Sequence, residues 1–225
     1  MSCLTNPTFL RACFAEYLAT ALLVGFGCGA IVVDATMGHP IGHGGVALAF
    51  GLAVMALIYA FGAESGAHAN PAVTIGFWLA KRFPGKQVPA YLMAQLFGAV
   101  TAALLLWLLL PAHPTLGATI PSGTWWQSFV LEIILTFVLM LVILQVATGA
   151  KEIGVVAAIA IGGTVALEAL VAGPICGASM NPARSLAPAL IAGVFEHQWI
   201  YVTAPILGSA IAVFTWRILR PSHGS

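Results

Sequence analysis

The chain has 225 residues, 60% of them hydrophobic and 7% charged, where an average soluble domain carries roughly a quarter charged residues. A soluble globular protein is all but excluded, and a net charge of +1 without a basic run leaves no electrostatic footprint for a nucleic-acid partner. Six apolar stretches follow in chain order, approximately 9–33, 44–61, 89–110, 127–147, 155–172 and 199–219. Each is near the roughly 20 residues with which a helix crosses ~30 Å of hydrocarbon. The pattern predicts an all-α membrane protein with six transmembrane helices in a single domain, 1–225. The first stretch is long and lacks a small-residue cleavage site, so it reads as a retained span.

The eight basic residues set the orientation. Arg11, Lys81, Arg82, Lys86, Lys151, Arg217 and Arg220 fall at one face, which the positive-inside rule makes cytoplasmic, with both termini inside. Arg184, between the last two spans, breaks the pattern. Cys3, Cys13, Cys28 and Cys176 are scattered without metal-ligand spacing, so neither a disulfide framework nor a zinc site is expected.

The chain is duplicated. Its three asparagines, Asn6, Asn70 and Asn181, each precede proline, and two open the same tripeptide, Asn70-Pro71-Ala72 and Asn181-Pro182-Ala183, 111 positions apart. Glu16 with Thr20 recurs as Glu132 with Thr136, and Ala94 to Gly98 as Ala204 to Gly208, at offsets of 116 and 110. Three spans per copy force the second to enter the membrane upside down, so the sequence predicts inverted repeats over approximately 9–110 and 127–219, with a substrate site near the midplane. Segments 62–80 and 173–191 are too apolar for aqueous loops yet are broken by Gly, Ser and Pro. They read as re-entrant limbs returning as short helices that start at each Asn-Pro, because Asn caps and Pro suits the first turn. Irregular backbone at that depth needs burial in protein or a water-filled cavity. Two half-helices meeting end to end direct about half a positive charge each at the midplane, an unfavourable field for cations. Asn70 and Asn181 offer side-chain NH₂ groups, and the carbonyls of 65–69 and 176–180 offer acceptors, which together serve a neutral solute.

These paired motifs make the whole chain resemble the major intrinsic protein family of aquaporins and aquaglyceroporins. The resemblance implies the aquaporin-like fold of six spans and two half-helices, a passive pore in each subunit and a homotetramer in the lipid bilayer, without a cofactor. It also implies an aromatic/arginine constriction, whose positions fall by spacing from the motifs on Phe50, Ala169, Ala178 and Arg184. Arg184 there repels cations and donates to the solute, which accounts for the exception in the charge pattern. Water channels usually carry histidine at the position of Ala169; alanine widens the pore and adds an apolar wall, suiting small polyols such as glycerol as well as water. Ser185 stands where glycerol facilitators typically have aspartate. The string Ala172-Gly173-Pro174-Ile175-Cys176-Gly177-Ala178-Ser179-Met180 looks like the nodulin-like branch, whose members include conductors of glycerol, ammonia and uncharged metalloid acids.

Buried ionisable residues in membranes are functional candidates. By the resemblance, Glu16 and Glu132 accept hydrogen bonds from backbone N–H groups of the two limbs, and His68 lines the pore. Glu168, beside Ala169, has three open roles: bracing the second limb, bonding Arg184 or taking part in a pH response. Glu64 is a candidate acid-sensitive inner gate, and Cys176 a candidate mercurial target. His39, His43, His113, His197 and His223 read as outer-loop or tail residues, not ligands; Gln95, Gly98, Gly25, Gly29, Gly162 and Gly163 read as packing contacts. A serine protease built on Gly177-Ala178-Ser179 needs a histidine base within reach, and the predicted spans contain none, so no enzyme is expected. A secondary active transporter shares inverted repeats and broken helices, with Glu16, Glu132 and Glu168 as its only coupling-ion candidates. The expected localisation is a prokaryotic cytoplasmic membrane, since the termini are short and no glycosylation sequon is present.

Overall fold

The computed structural model describes residues 6–110, 112–147 and 151–219, with backbone alone over 151–155. Cys3, Arg220, His223 and the side chain of Lys151 lie outside the described residues. The helices are α1 (Pro7–Thr36), α2 (Gly42–Ser65), α3 (Pro71–Leu79), α4 (Val88–Leu109), α5 (Trp125–Val146), α6 (Lys151–Cys176), α7 (Pro182–Ala192) and α8 (Ile200–Leu219). Six are long and apolar enough to cross a membrane. At 9 and 11 residues, α3 and α7 reach about half of the hydrocarbon thickness.

All three Asn-Pro pairs start helices, with proline in the first turn each time. Asn6 Oδ1 accepts from Thr8 N at 3.0 Å, Asn70 Oδ1 from Ala72 N at 2.8 Å, and Asn181 Oδ1 from Ala183 N at 3.0 Å. Each such cap is worth about 1 kcal/mol.

The sequence expectation is corrected at two places. Helices α2 and α6 run on to Ser65 and Cys176, past the predicted ends of the second and fifth spans, so the irregular limbs shrink to 66–70 and 177–181. Pro174 lies inside α6 without ending it. A proline removes one helical hydrogen bond, whereas a left-handed residue turns the chain out of the helix. That residue is Gly66 in one limb and Gly177 in the other, at φ 86° and 85°, and each N–H closes on the carbonyl four residues back, Gly62 and Gly173, at 3.0 Å.

Helix packing repeats with the sequence. Helix α1 packs on α4 as α5 packs on α8, and α2 crosses α6 between them. A Cβ on Gly98 would collide with the Tyr17 carbonyl oxygen, and one on Gly208 with that of Ile133. Gly51 and Gly162 meet each other's backbone in the same way across the α2–α6 crossing. Small residues at these positions let the backbones approach. Gly163 has nothing within 4 Å of a Cβ position, so its expected packing role is not found.

The two ends of the bundle differ in chemistry. At one, Arg82 lies over the Trp216 ring at 5.6 Å, Arg217 donates to the Leu79 carbonyl, and Phe9 stacks on Tyr91 at 6.1 Å. At the other are Asp34, His39, His43 and the segment 112–124, tied down by Gln198 Nε2 donating to Thr119 O at 2.7 Å and by Ser122 Oγ donating to Pro174 O at 2.8 Å.

Candidate functional site

Each limb is held in a left-handed run that side chains resist. Ala67 and Ala69 have φ of 48° and 47°, and Ala178 and Met180, 111 positions on, have 41° and 54°. Such residues cost of order 1–2 kcal/mol apiece and persist only where surroundings enforce them. The enforcing groups are two buried carboxyls. Glu16 Oε1 accepts from Ser65 Oγ at 2.7 Å and His68 N at 2.8 Å, and its Oε2 accepts from Ala69 N at 2.8 Å and Gln95 Nε2 at 2.7 Å. Glu132 accepts from Ser179 N at 2.7 Å and Met180 N at 2.8 Å. Turning these N–H groups outward to the helices aims the limb carbonyls at the centre.

There the limbs join each other. Asn70 Nδ2 donates to Met180 O and Asn181 Nδ2 to Ala69 O, both at 2.8 Å. Each amide nitrogen thereby commits one of its two N–H groups to the opposite limb, leaving the second for a solute.

A cavity of about 740 Å³ runs from Arg82 and Tyr59 past His68, Asn70 and Asn181 to Arg184. A second, of about 670 Å³, opens at the other end among Asp34, His39, His43 and Gly117. Four residues line both, and they are Phe50, Ala169, Ala178 and Arg184. Arg184 is 3% exposed; its Nη1 donates to Gly117 O at 2.7 Å, and its guanidinium lies 4.8 Å above the Phe50 ring. The arginine is thus fixed between a loop carbonyl and an aromatic face. No carboxylate is among the described residues lining the larger cavity.

His68 lines that cavity, stacked on Phe77 at 4.7 Å, with Nδ1 3.1 Å from Thr74 Oγ1. Glu16 and Glu132, fully buried, stand behind the limbs and off the cavity wall. Glu168 is 6% exposed and lines neither cavity; both its oxygens lack a hydrogen-bond partner among the described residues. Two of the roles left open for it, a brace to the limb and a bond to Arg184, are therefore absent. Glu64 is exposed and away from the cavity lining, and Cys176 is buried with its thiol toward Ala172 O at 3.5 Å. Neither lies where a gate or a pore mercurial site requires it. His39 lies 3.1 Å from Asp34 and His197 3.5 Å from Glu196, both outside the centre. Ser179 Oγ donates to Asn181 O and sits 2.5 Å from Ser185 Oγ, neither of which is a base.

Sequence reasoning treated Gln95 as packing, yet its amide bridges Glu16 and Thr74 Oγ1, the latter at 2.9 Å. Thr119, whose hydroxyl donates to Ser185 at 2.7 Å, and Gly117 were missed altogether. A glutamine in an otherwise apolar span was the available signal for the first; the loop residues had none.

The family model described as Major intrinsic protein matches residues 3–216. Aquaporin NIP1-1 of Oryza sativa subsp. japonica is 46% identical over 213 residues, covering 94% of this chain and 75% of its own length. Nodulin-26 of Glycine max is 44% identical over 218 residues, covering 96% and 80%. The X-ray structure of the aquaglyceroporin from Plasmodium falciparum superposes with a TM-score of 0.83 at 27% identity, over 94% of this chain and 96% of that one.

Proposed function

The chain belongs to the major intrinsic protein family and is a passive transmembrane channel for water and small solutes; from that premise we propose that its selectivity resides at Phe50, Ala169, Ala178 and Arg184. The observation that carries this reading is that these four residues alone, among the described ones, line both cavities. A solute passing from one cavity to the other meets a fixed guanidinium, an aromatic face and two methyl groups. Arg184 donates to a hydroxyl, and the alanines leave room for a carbon chain, so a small polyol such as glycerol passes with water. Cations are turned back by Arg184 and by the positive ends of α3 and α7. Asn70 and Asn181 supply the central donors, His68 lines the path, and Glu16 and Glu132 hold the limbs in shape. The same two-alanine opening fits compact uncharged metalloid acids and ammonia, the second reading. A gradient-coupled transporter is not favoured, since none of Glu16, Glu132 and Glu168 lines either cavity.

The repeated contacts support two inverted halves, approximately 9–110 and 127–219, within one channel domain. An apolar groove of about 800 Å³ along α1, α2 and α4, floored by Gly25, Gly29, Ala49, Ala53 and Ala102, supports a homotetramer, because small residues admit a neighbouring helix. Loop charge supports a basic end and both termini in the cytoplasm. The absence of any glycosylation sequon in the sequence supports a prokaryotic cytoplasmic membrane; the named sequence relatives are plant proteins.

The test is stopped-flow light scattering on proteoliposomes carrying wild type or Ala169→His. Wild type passes water and glycerol; the histidine variant keeps water and loses glycerol. Unchanged glycerol flux in the variant overturns the assignment of the filter.

A further inference from the structure

Pro174 sits inside α6, and a proline has no N–H to give the carbonyl four residues before it. That carbonyl belongs to Leu170, the residue after Ala169. It is met from another helix: His43 Nε2, in the first turn of α2, lies 2.7 Å from Leu170 O. A carbonyl oxygen only accepts, so the ring donates from Nε2 and that tautomer is fixed. The fit is shaped on the other side as well, since a Cβ on Gly173 would come within 3.0 Å of His43 Cε1. His43, Ala47 and Phe50 follow at helical spacing on one face of α2, and all three line the outer cavity with Ala169. Seven residues at 1.5 Å each put His43 about 10 Å along the helix from Phe50.

We propose that His43 is a positioning residue for the filter: by supplying the donor that Pro174 withholds, it ties α2, which carries Phe50, to α6 beside Ala169, and so sets the opening between those two walls. The inference rests on the reading of Phe50 and Ala169 as filter residues. Without the tie, Leu170 O has lost both donors, and the α6 wall keeps its anchor to Ser122 at Pro174 O, five residues past Ala169, but loses its hydrogen bond to α2. Water tolerates such a wall. A larger solute, which fits one geometry of the opening, does not.

The readout is the ratio of glycerol to water permeability in proteoliposomes, which does not depend on how much protein is reconstituted. His43→Ala lowers this ratio about threefold or more, the change made by a coupling at the lower end of those measured between contacting residues. His43→Gln, whose amide also donates, restores most of it. Pro174→Ala gives Leu170 O a helical donor again but does not reconnect α2 once His43 is gone, so Pro174→Ala/His43→Ala loses as much of the ratio as His43→Ala. A His43→Ala channel with the wild-type ratio overturns the proposal, and so does a double variant that recovers the wild-type ratio, since the helices are then untied and the opening unchanged. Should His43→Ala fail to reconstitute, His43→Phe, which keeps a ring against Gly173 without a donor, is judged by the same criterion. A wild type that passes water and no glycerol overturns instead the glycerol reading, and the tie is then read on the ratio of boric acid to water permeability across the same variants.

Discussion

Glu16 and Glu132 occupy equivalent places in the two halves and carry unequal loads. Both oxygens of Glu16 face donors only, four of them on Ser65, His68, Ala69 and Gln95, an arrangement an all-acceptor carboxylate serves and an amide does not. Glu132 takes two backbone donors from its limb. Glu16→Gln turns an NH₂ onto two of these donors and Glu132→Gln onto one, so the first destabilises more, by about 1.5–3 kcal/mol for the extra mismatch, has the lower thermal unfolding midpoint in detergent and abolishes water permeability. Equal midpoints for the two variants would show that the extra donors contribute nothing. Glu168 predicts the opposite sign. A buried carboxyl without partners bears a desolvation cost of about 1–3 kcal/mol, so Glu168→Met raises the midpoint. The matched glutamates were legible because the duplication displayed them twice. Gln95 was not: it appears once, and in an apolar span a lone amide and a packing residue look alike until its partners on α1 and α3 are in place.

At the scale of elements, the breaks matter more than the helices. Composition gave the six spans but could not say where α2 and α6 stop, because Gly, Ala and Ser serve a helix lodged among other helices as well as a turn. Pro174 is the stronger breaker by helix propensity, yet the chain leaves the helix at Gly177, where the left-handed backbone begins. Asn6-Pro7 likewise shows that Asn-Pro signals only a helix start; depth in the bilayer, supplied by neighbouring spans, makes the other two something more. Adjacent glycines in α6 separate packing from mere composition. Gly162→Ala drives its methyl onto the Gly51 carbonyl, 2.6 Å from the Cβ position, and lowers the unfolding midpoint with loss of flux. Gly163→Ala meets open space and gains helix propensity of about 0.5–1 kcal/mol, so its midpoint holds or rises. Circular dichroism melts of the two variants decide it, and reversed signs would mean that the α2–α6 crossing is misplaced.

For the whole molecule, lateral contact and internal fold are separable. The groove between α1, α2 and α4 is lined by Ala49 at its floor and by Leu22, Phe26 and Leu52 around it, the last three 40%, 66% and 56% exposed in the single chain. Ala49→Trp fills it from within the subunit, so native mass spectrometry shows smaller species while far-UV dichroism is unchanged; an intact tetramer in that variant places the interface elsewhere. Inside the subunit, the side-chain amides of the two central asparagines donate across the halves: Asn70 to Met180 and Asn181 to Ala69. Each half lacks the acceptor for its own asparagine. A half-length protein of this pattern would need a second molecule of itself, inserted head down, to finish the passage. To insert both ways, such a protein would need loops too evenly charged to choose a side of the membrane.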